Sequence, residues 1–192
     1  MCGIVGYIGN KNATPVLVNA LKKLEYRGYD SAGIAVFNGQ DILVRKVKGA
    51  LKALEEKIAK ETIEGSLGIG HTRWATHGEP SDINAHPHLN ESGTIAVVHN
   101  GIIENFAKLK AWLQSEGVVF KSDTDTEVIA HLINYYYEDS LDIFEAVKAA
   151  VNRLEGSYAL GVLCKDFPDR IIAARKECPL IVGLGKGENF IA

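Results

Sequence analysis

The chain has 192 residues, 46% hydrophobic and 23% charged, with 21 basic and 24 acidic side chains giving a formal charge of -3. These values fit one globular domain that can bury a full core without disulfide staples. No run of like charge offers a surface for nucleic acid or an anionic membrane. The apolar runs are strand-length, well short of a ~20-residue span, and Met1 to Gly9 lacks the basic leader and cleavage site of a signal peptide. The three cysteines, Cys2, Cys164 and Cys178, are too few and too scattered for a disulfide framework or a zinc knuckle, which predicts a reducing, cytoplasmic setting.

Cys2 to Ile8 is apolar and β-branched, the pattern of a buried strand. Ala13 to Leu24 repeats apolar residues at helical spacing and is expected to run on until Gly28. Gly33 to Phe37 and Ile42 to Val47 read as a hairpin about Asn38-Gly39. Leu51 to Lys60 is amphipathic and helical, and Leu67 to Thr72 is a strand. The polar stretch from Arg73 to Asn90 is too long for a plain connector and marks a functional loop. Thr94 to His99 is a strand ending at Asn100-Gly101, and Ile103 to Gln114 a helix. Ser122 or Thr124 can cap a helix from Asp125 to Tyr137. Leu141 to Leu154 is a further helix. Tyr158 to Leu163, Arg170 to Ala174 and Leu180 to Gly183 close the chain as strands. Strands at both ends with helices between them predict an α+β sandwich rather than a doubly wound parallel sheet. No repeat or linker divides the chain, so one domain is expected over residues 1–192. The tail GLGKGENFIA suggests a piece of something longer.

Cys2 stands out by position. With Met1 removed it would carry both a thiol, of reference pKa about 8.5, and an α-amine of about 7.7–8.0. The amine could then serve as base to the residue's own thiol, the amino-terminal nucleophile arrangement. Read alone, Cys2 is better taken as a buried strand cysteine. The Asn100 amide and the Gly101 N–H could hold an oxyanion, or simply make a turn. Arg73 and Asp125 could grip the carboxylate and ammonium of a free amino acid, or serve as a surface ion pair and a helix cap. His71, His86, His99 and His131 are read as structural. His86-Pro87-His88 invites a metal, but no HExxH or His/Cys ligand set accompanies it, so no metal or cofactor is expected. GxxxxGK[ST], GxGxxG and GxSxG are all missing.

Taken together these segments resemble a known family. Cys2-Gly-Ile-Val-Gly, YRGYDSAG at Tyr26 to Gly33, HTRWATHGEP at His71 to Pro80, HNGIIEN at His99 to Asn105 and SDTDTEVIAHL at Ser122 to Leu132 look like the class II glutamine amidotransferases. Within that class they look like the amino-terminal domain of the glucosamine-6-phosphate synthase family. The resemblance covers essentially the whole chain.

It implies a four-layer αββα sandwich of two antiparallel sheets between helices. It implies that Cys2 attacks the side-chain amide of L-glutamine, with its α-amine relaying the proton and Asn100 and Gly101 holding the oxyanion. Arg73 would bind the substrate carboxylate and Asp125 its ammonium. Trp74, Thr76 and His77 would lie on the loop that covers glutamine, with Trp74 gating an ammonia channel, and Arg27 would help order the region around Cys2. Sugar-phosphate isomerase domains would follow in a longer, homodimeric protein. The readings weighed against this are a glutaminase domain of another class II amidotransferase and a non-catalytic glutamine-binding domain.

Overall fold

A computed structural model describes residues 2–192. Ten strands and five helices form four layers. One sheet has six antiparallel strands in the order β3-β2-β4-β1-β10-β9. These are β1 (Gly3–Gly9), β2 (Ser31–Phe37), β3 (Ile42–Lys48), β4 (Leu67–Arg73), β9 (Val182–Leu184) and β10 (Glu188–Ile191). The other has the order β5-β6-β7-β8, from β5 (His88–Leu89), β6 (Ile95–Ile103), β7 (Gly156–Cys164) and β8 (Ile172–Lys176). Helices α1 (Ala13–Lys22) and α2 (Leu51–Lys60) cover the outer face of the first sheet. Helices α3 (Phe106–Ser115), α4 (Asp125–Ser140) and α5 (Ile143–Val151) cover the second.

Alternation along the strands of the first sheet sorts side chains between two cores. Val5, Tyr7, Ile34 and Val36 pack outward with Leu17, Leu21 and Leu54 of the helices. Ile4, Ala35, Leu67 and Ile69 face inward onto Ala96, Val98, Ala159 and Leu163 of the second sheet. A third core joins Val97, Leu160 and Val162 to Ile129, Ile133, Val147 and Ala150. Each fully buried aliphatic side chain contributes roughly 1.5–3 kcal/mol. The αββα architecture implied by the resemblance is therefore the one observed.

Several boundaries differ from the sequence reading. Helix α1 ends at Lys22, and residues Glu25–Arg27 form a separate 3-10 turn before Gly28. Strand β6 continues through Asn100 and Gly101 to Ile103, so the pair lies inside a strand rather than in a turn. A Cβ at Gly101 would sit 2.0 Å from the Ser157 carbonyl oxygen, and φ there is +113°, so only glycine passes this point of the β6–β7 ladder. Helix α3 accordingly starts at Phe106, not Ile103. The long helix expected from Leu141 is cut back to Ile143–Val151 because Leu141 turns left-handed (φ +51°) to end α4 and Asp142 caps α5. Strands β5 and β10 were not anticipated; β10 is a short, half-polar segment that becomes a strand by pairing with β1.

The loop expected from Arg73 to Asn90 runs from the end of β4 to β5, and it is fastened at its far end. Lys46 Nζ, on edge strand β3, donates to the carbonyls of Ile83, Ala85 and Pro87 at 2.9, 2.7 and 3.3 Å. The segment lies so close to β2 that a Cβ at Gly33 would stand 2.2 Å from the His86 carbonyl oxygen.

Candidate active site

Because Gly3 pairs with Thr72 across β1 and β4, Cys2 is delivered beside Arg73 and Trp74. Cys2 Sγ accepts the Trp74 N–H at 3.1 Å and points its own proton toward the Trp74 carbonyl at 3.5 Å. Burial pushes the thiol pKa up, against the lowering pull of the Trp74 N–H and the Arg73 charge. At neutral pH the resting group is a thiol, so acting as a nucleophile would require a base to take its proton. Among the described residues, the backbone groups of Trp74 are the hydrogen-bond partners of Sγ. Met1, whose removal the amino-terminal nucleophile reading needs, lies outside the described residues.

Arg73 ends β4 and is buried. Its Nη2 donates to the carbonyls of His77 and Gly78, the latter at 3.0 Å, which fastens the start of the loop. Its Nη1 is buried with no partner among the described residues. Burial lowers its pKa while the nearby charges of Asp30, Cys2 and Asp125 raise it; a guanidinium stays charged throughout. Those same electrostatic neighbours place Cys2, Arg73 and Asp125 in one region.

Asp125 is the first residue of α4. Thr124 is the N-cap, accepting the Glu127 N–H, so the reading of Asp125 as a cap is not what forms. Asp125 instead accepts the Ile103 N–H on Oδ2 at 3.0 Å, and its Oδ1 stands 3.9 Å from His99 Nδ1. The Ser122-x-x-Asp125 box does not form either; Ser122 bonds Glu127.

Asn100 is half-buried on β6, and its Oδ1 lies 2.9 Å from His71 Nε2. On the loop, the Trp74 indole is 55% exposed and lies over Gly28, within 3.4 Å of where a Cβ there would be. Thr76 is exposed. His77 is half-buried, edge-on to Phe106, with its Nδ1 buried and unpartnered. Arg27 is half-buried at the end of its 3-10 turn.

The sequence reading quoted Asp30 in a motif but gave it no task. Its carboxylate accepts the Ala75 N–H and the Ser31 hydroxyl, which ties the loop next to Trp74 to the start of β2. His71, His86 and His99, read as structural, form one buried group. His71 and His86 stack at 4.1 Å, while Thr126 Oγ1 bridges His86 Nε2 at 3.2 Å and His99 Nδ1 at 2.9 Å. His88 Nε2 meets Thr124 Oγ1, so protein hydroxyls engage a nitrogen on each ring of the His-Pro-His segment. His131 is buried against Glu127 and Phe120.

The buried side-chain atoms without a partner among the described residues are His71 Nδ1, Thr72 Oγ1, Arg73 Nη1, His77 Nδ1 and His99 Nε2. Leaving one such group unpaired costs about 1–3 kcal/mol. All belong to the end of β4, the loop after it and β6. A cavity of about 710 Å³, lined by Lys46, Asn90, Lys121, Glu127 and His131 among others, contains none of the candidate residues.

Residues 71–192 match the family model described as a glutamine amidotransferase domain. The glutamine–fructose-6-phosphate aminotransferase (isomerizing) of Caldanaerobacter subterraneus subsp. tengcongensis is 65% identical over the whole chain, and that of Thermococcus kodakarensis 55%. The chain spans about 31% and 32% of those relatives. Among solved structures, the glutamine phosphoribosylpyrophosphate amidotransferase of B. subtilis matches all of this chain and 41% of its own, at 26% identity and a TM-score of 0.85. A structure titled as the allosteric regulatory enzyme of purine biosynthesis matches to the same extent at 27% and 0.87. A family model matching more than half of the chain establishes that this protein belongs to the glutamine amidotransferase domain family.

Proposed function

We propose that the chain hydrolyses L-glutamine to glutamate and ammonia with Cys2, freed of Met1, as nucleophile. The observation that carries this reading is the meeting of a backbone-held thiol with a buried arginine that keeps one N–H group unpartnered. A free amino acid offers what those groups lack. Its carboxylate would take Arg73 Nη1, and its ammonium the Oδ1 side of Asp125. The side chain would then extend toward Cys2, with Trp74, Thr76 and His77 closing over it.

Cys2 Sγ attacks the amide carbon while the α-amine takes the thiol proton. The oxyanion is held by Asn100 Nδ2 and the Gly101 N–H, a role worth about 10²–10³ in rate per donor. The proton passes to the departing nitrogen, ammonia leaves, and a γ-glutamyl thioester remains. Water, deprotonated by the same amine, cleaves the thioester and restores the thiol. Retaining Met1 would turn that amine into an amide and forfeit a general base, typically worth about 10²–10⁴. Arg27 serves by ordering the surroundings of Cys2.

The curated relatives are named for amination of fructose-6-phosphate. We extend the reading accordingly. In a longer cytoplasmic, homodimeric protein, sugar-phosphate isomerase domains would receive the ammonia and form glucosamine-6-phosphate. Among the described residues no helix is long and apolar enough to cross a membrane.

The deciding experiment is ammonia release from L-glutamine by protein whose intact mass shows Met1 absent. Cys2→Ala should abolish release while glutamine still raises the melting temperature. Hydrolysis by Cys2→Ala at the unaltered rate would overturn the nucleophile assignment.

A further inference from the structure

His71 occupies the middle of the first sheet, opposite Ile4 on one side and Gly33 on the other, and it is completely buried. Its one polar side-chain partner is Asn100, with Nε2 2.9 Å from Oδ1. Asn100 Nδ2 makes no hydrogen bond among the described residues, so that single contact fixes which way the carboxamide is turned. An asparagine amide is close to symmetric in shape, and its two orientations differ only in hydrogen bonding. In one orientation it offers a donor to the site. In the other it offers an oxygen, which would repel an oxyanion.

The ring carries one proton. Burial drives its pKa down to about 3, against the pull of Asn100 and His99, so it is neutral at physiological pH. With the proton on Nε2, the ring donates to Oδ1 and turns the amide NH2 away from itself. With the proton on Nδ1, two lone pairs would face each other at 2.9 Å and the amide would turn over. The His99 backbone lies near the ring, but no described group meets Nδ1 in hydrogen-bonding geometry. An unpaired acceptor is tolerated more readily than a buried unpaired N–H, so the Nε2–H tautomer fits.

The ring cannot swing aside. His86 stacks on it at 4.1 Å, nearly parallel at 17°. His86 is itself held on both nitrogens, by the His99 N–H at 3.4 Å and by Thr126 at 3.2 Å.

We propose that His71 is a positioning residue for amide hydrolysis: its Nε2–H donates to Asn100 Oδ1 and thereby presents Asn100 Nδ2 as the donor to the developing oxyanion. This rests on the reading of Asn100 given above. It assigns His71 no contact with substrate.

The test is a four-enzyme cycle on Met1-processed protein, reading kcat and KM for ammonia release from L-glutamine. His71→Leu keeps bulk and removes the donor. It should lower kcat by up to about 10²-fold, the scale of a misplaced catalytic group, with KM little changed. His71→Gln, which retains an N–H donor, should recover part of the loss. In an Asn100→Ala background His71→Leu should cost nothing more, because the group it orients is gone. An equal fold-loss in both backgrounds, or a loss in KM alone, overturns the positioning role while leaving the oxyanion assignment intact. A full kcat in Asn100→Ala alone overturns both. Should the leucine variant fail to fold, imidazole nitrogen NMR of the unsubstituted protein decides. A protonated Nε2 on His71 across pH 6–8 is the expected signal, and a protonated Nδ1 overturns the proposal.

Discussion

Arg73 Nη2 donates to the Gly78 carbonyl at 3.0 Å while its Nη1, on the same planar group, is buried and unpartnered. One cation thus holds the loop with one edge, and on the proposed reading its other edge takes the substrate carboxylate. Arg73→Lys preserves charge but offers a single point in place of a fork. We expect KM for glutamine to rise on the order of 10- to 10²-fold, the equivalent of losing a charged hydrogen bond of about 1.5–3 kcal/mol. Steady-state kinetics checks this; an unchanged KM would mean that Arg73 serves the loop alone.

Asp125 offers a cleaner separation. Thr124 caps α4, so Asp125→Asn should leave the melting temperature nearly unchanged while weakening glutamine binding more than turnover. Calorimetric titration beside a thermal melt distinguishes this from capping, for which the melt would move and the affinity would not.

Gly101→Ala meets two obstacles at once, a φ of +113° and a carbonyl oxygen 2.0 Å from the new Cβ. Backbone strain of this kind costs about 1–3 kcal/mol. At roughly 2–4 °C per kcal/mol for a chain of this size, the melt should fall visibly. Ammonia release should fall with it, because the strand carrying Asn100 must shift. A melt equal to that of the unsubstituted protein would show that the β6–β7 ladder yields without cost.

The buried histidines make stability depend on acid. Burial holds His71 at about 3, His86 and His88 well below their ordinary value, and His99 below it as well. In the unfolded chain each takes a proton near pH 6.5. As pH falls below about 6.5 the unfolded state therefore binds protons that the folded state refuses. The stability these groups contribute is complete at pH 7 and is lost progressively toward pH 3. Glu127 adds to the loss lower down: burial raises its pKa, but bonds from His131, Ser122 and the Lys121 N–H outweigh that and hold it at about 2. Urea unfolding should show a lower midpoint at pH 5 than at pH 7. A flat profile would mean that the cluster charges without opening.

How much of this was readable in advance varies by element. Strand β4 and helix α2 announce themselves, since each has its own period and its own turn signals. The inner half of β6 does not. Asn-Gly is the commonest signature of a tight turn, and only pairing with β7 makes it a strand. Strand β10 depends in the same way on β1. Within the site, Cys2, Arg73, Asn100 and Asp125 could each be singled out by residue chemistry, but each also had an ordinary structural explanation, and the resemblance to a family decided between the two. The histidine group had no local signal at all. His71, His86 and His99 lie on a strand of one sheet, a loop and a strand of the other, and only the stacking of the sheets brings them into contact.

Lys46 and Gly33 act together on something larger than the loop they touch. The missing side chain at Gly33 lets residues 83–87 lie flat on the first sheet, and the ammonium of Lys46 ties down three of their carbonyls. The His86 ring then reaches between the sheets. A segment with no regular structure is thus held as firmly as a strand edge, and it places one imidazole of the buried group against the rings of both sheets.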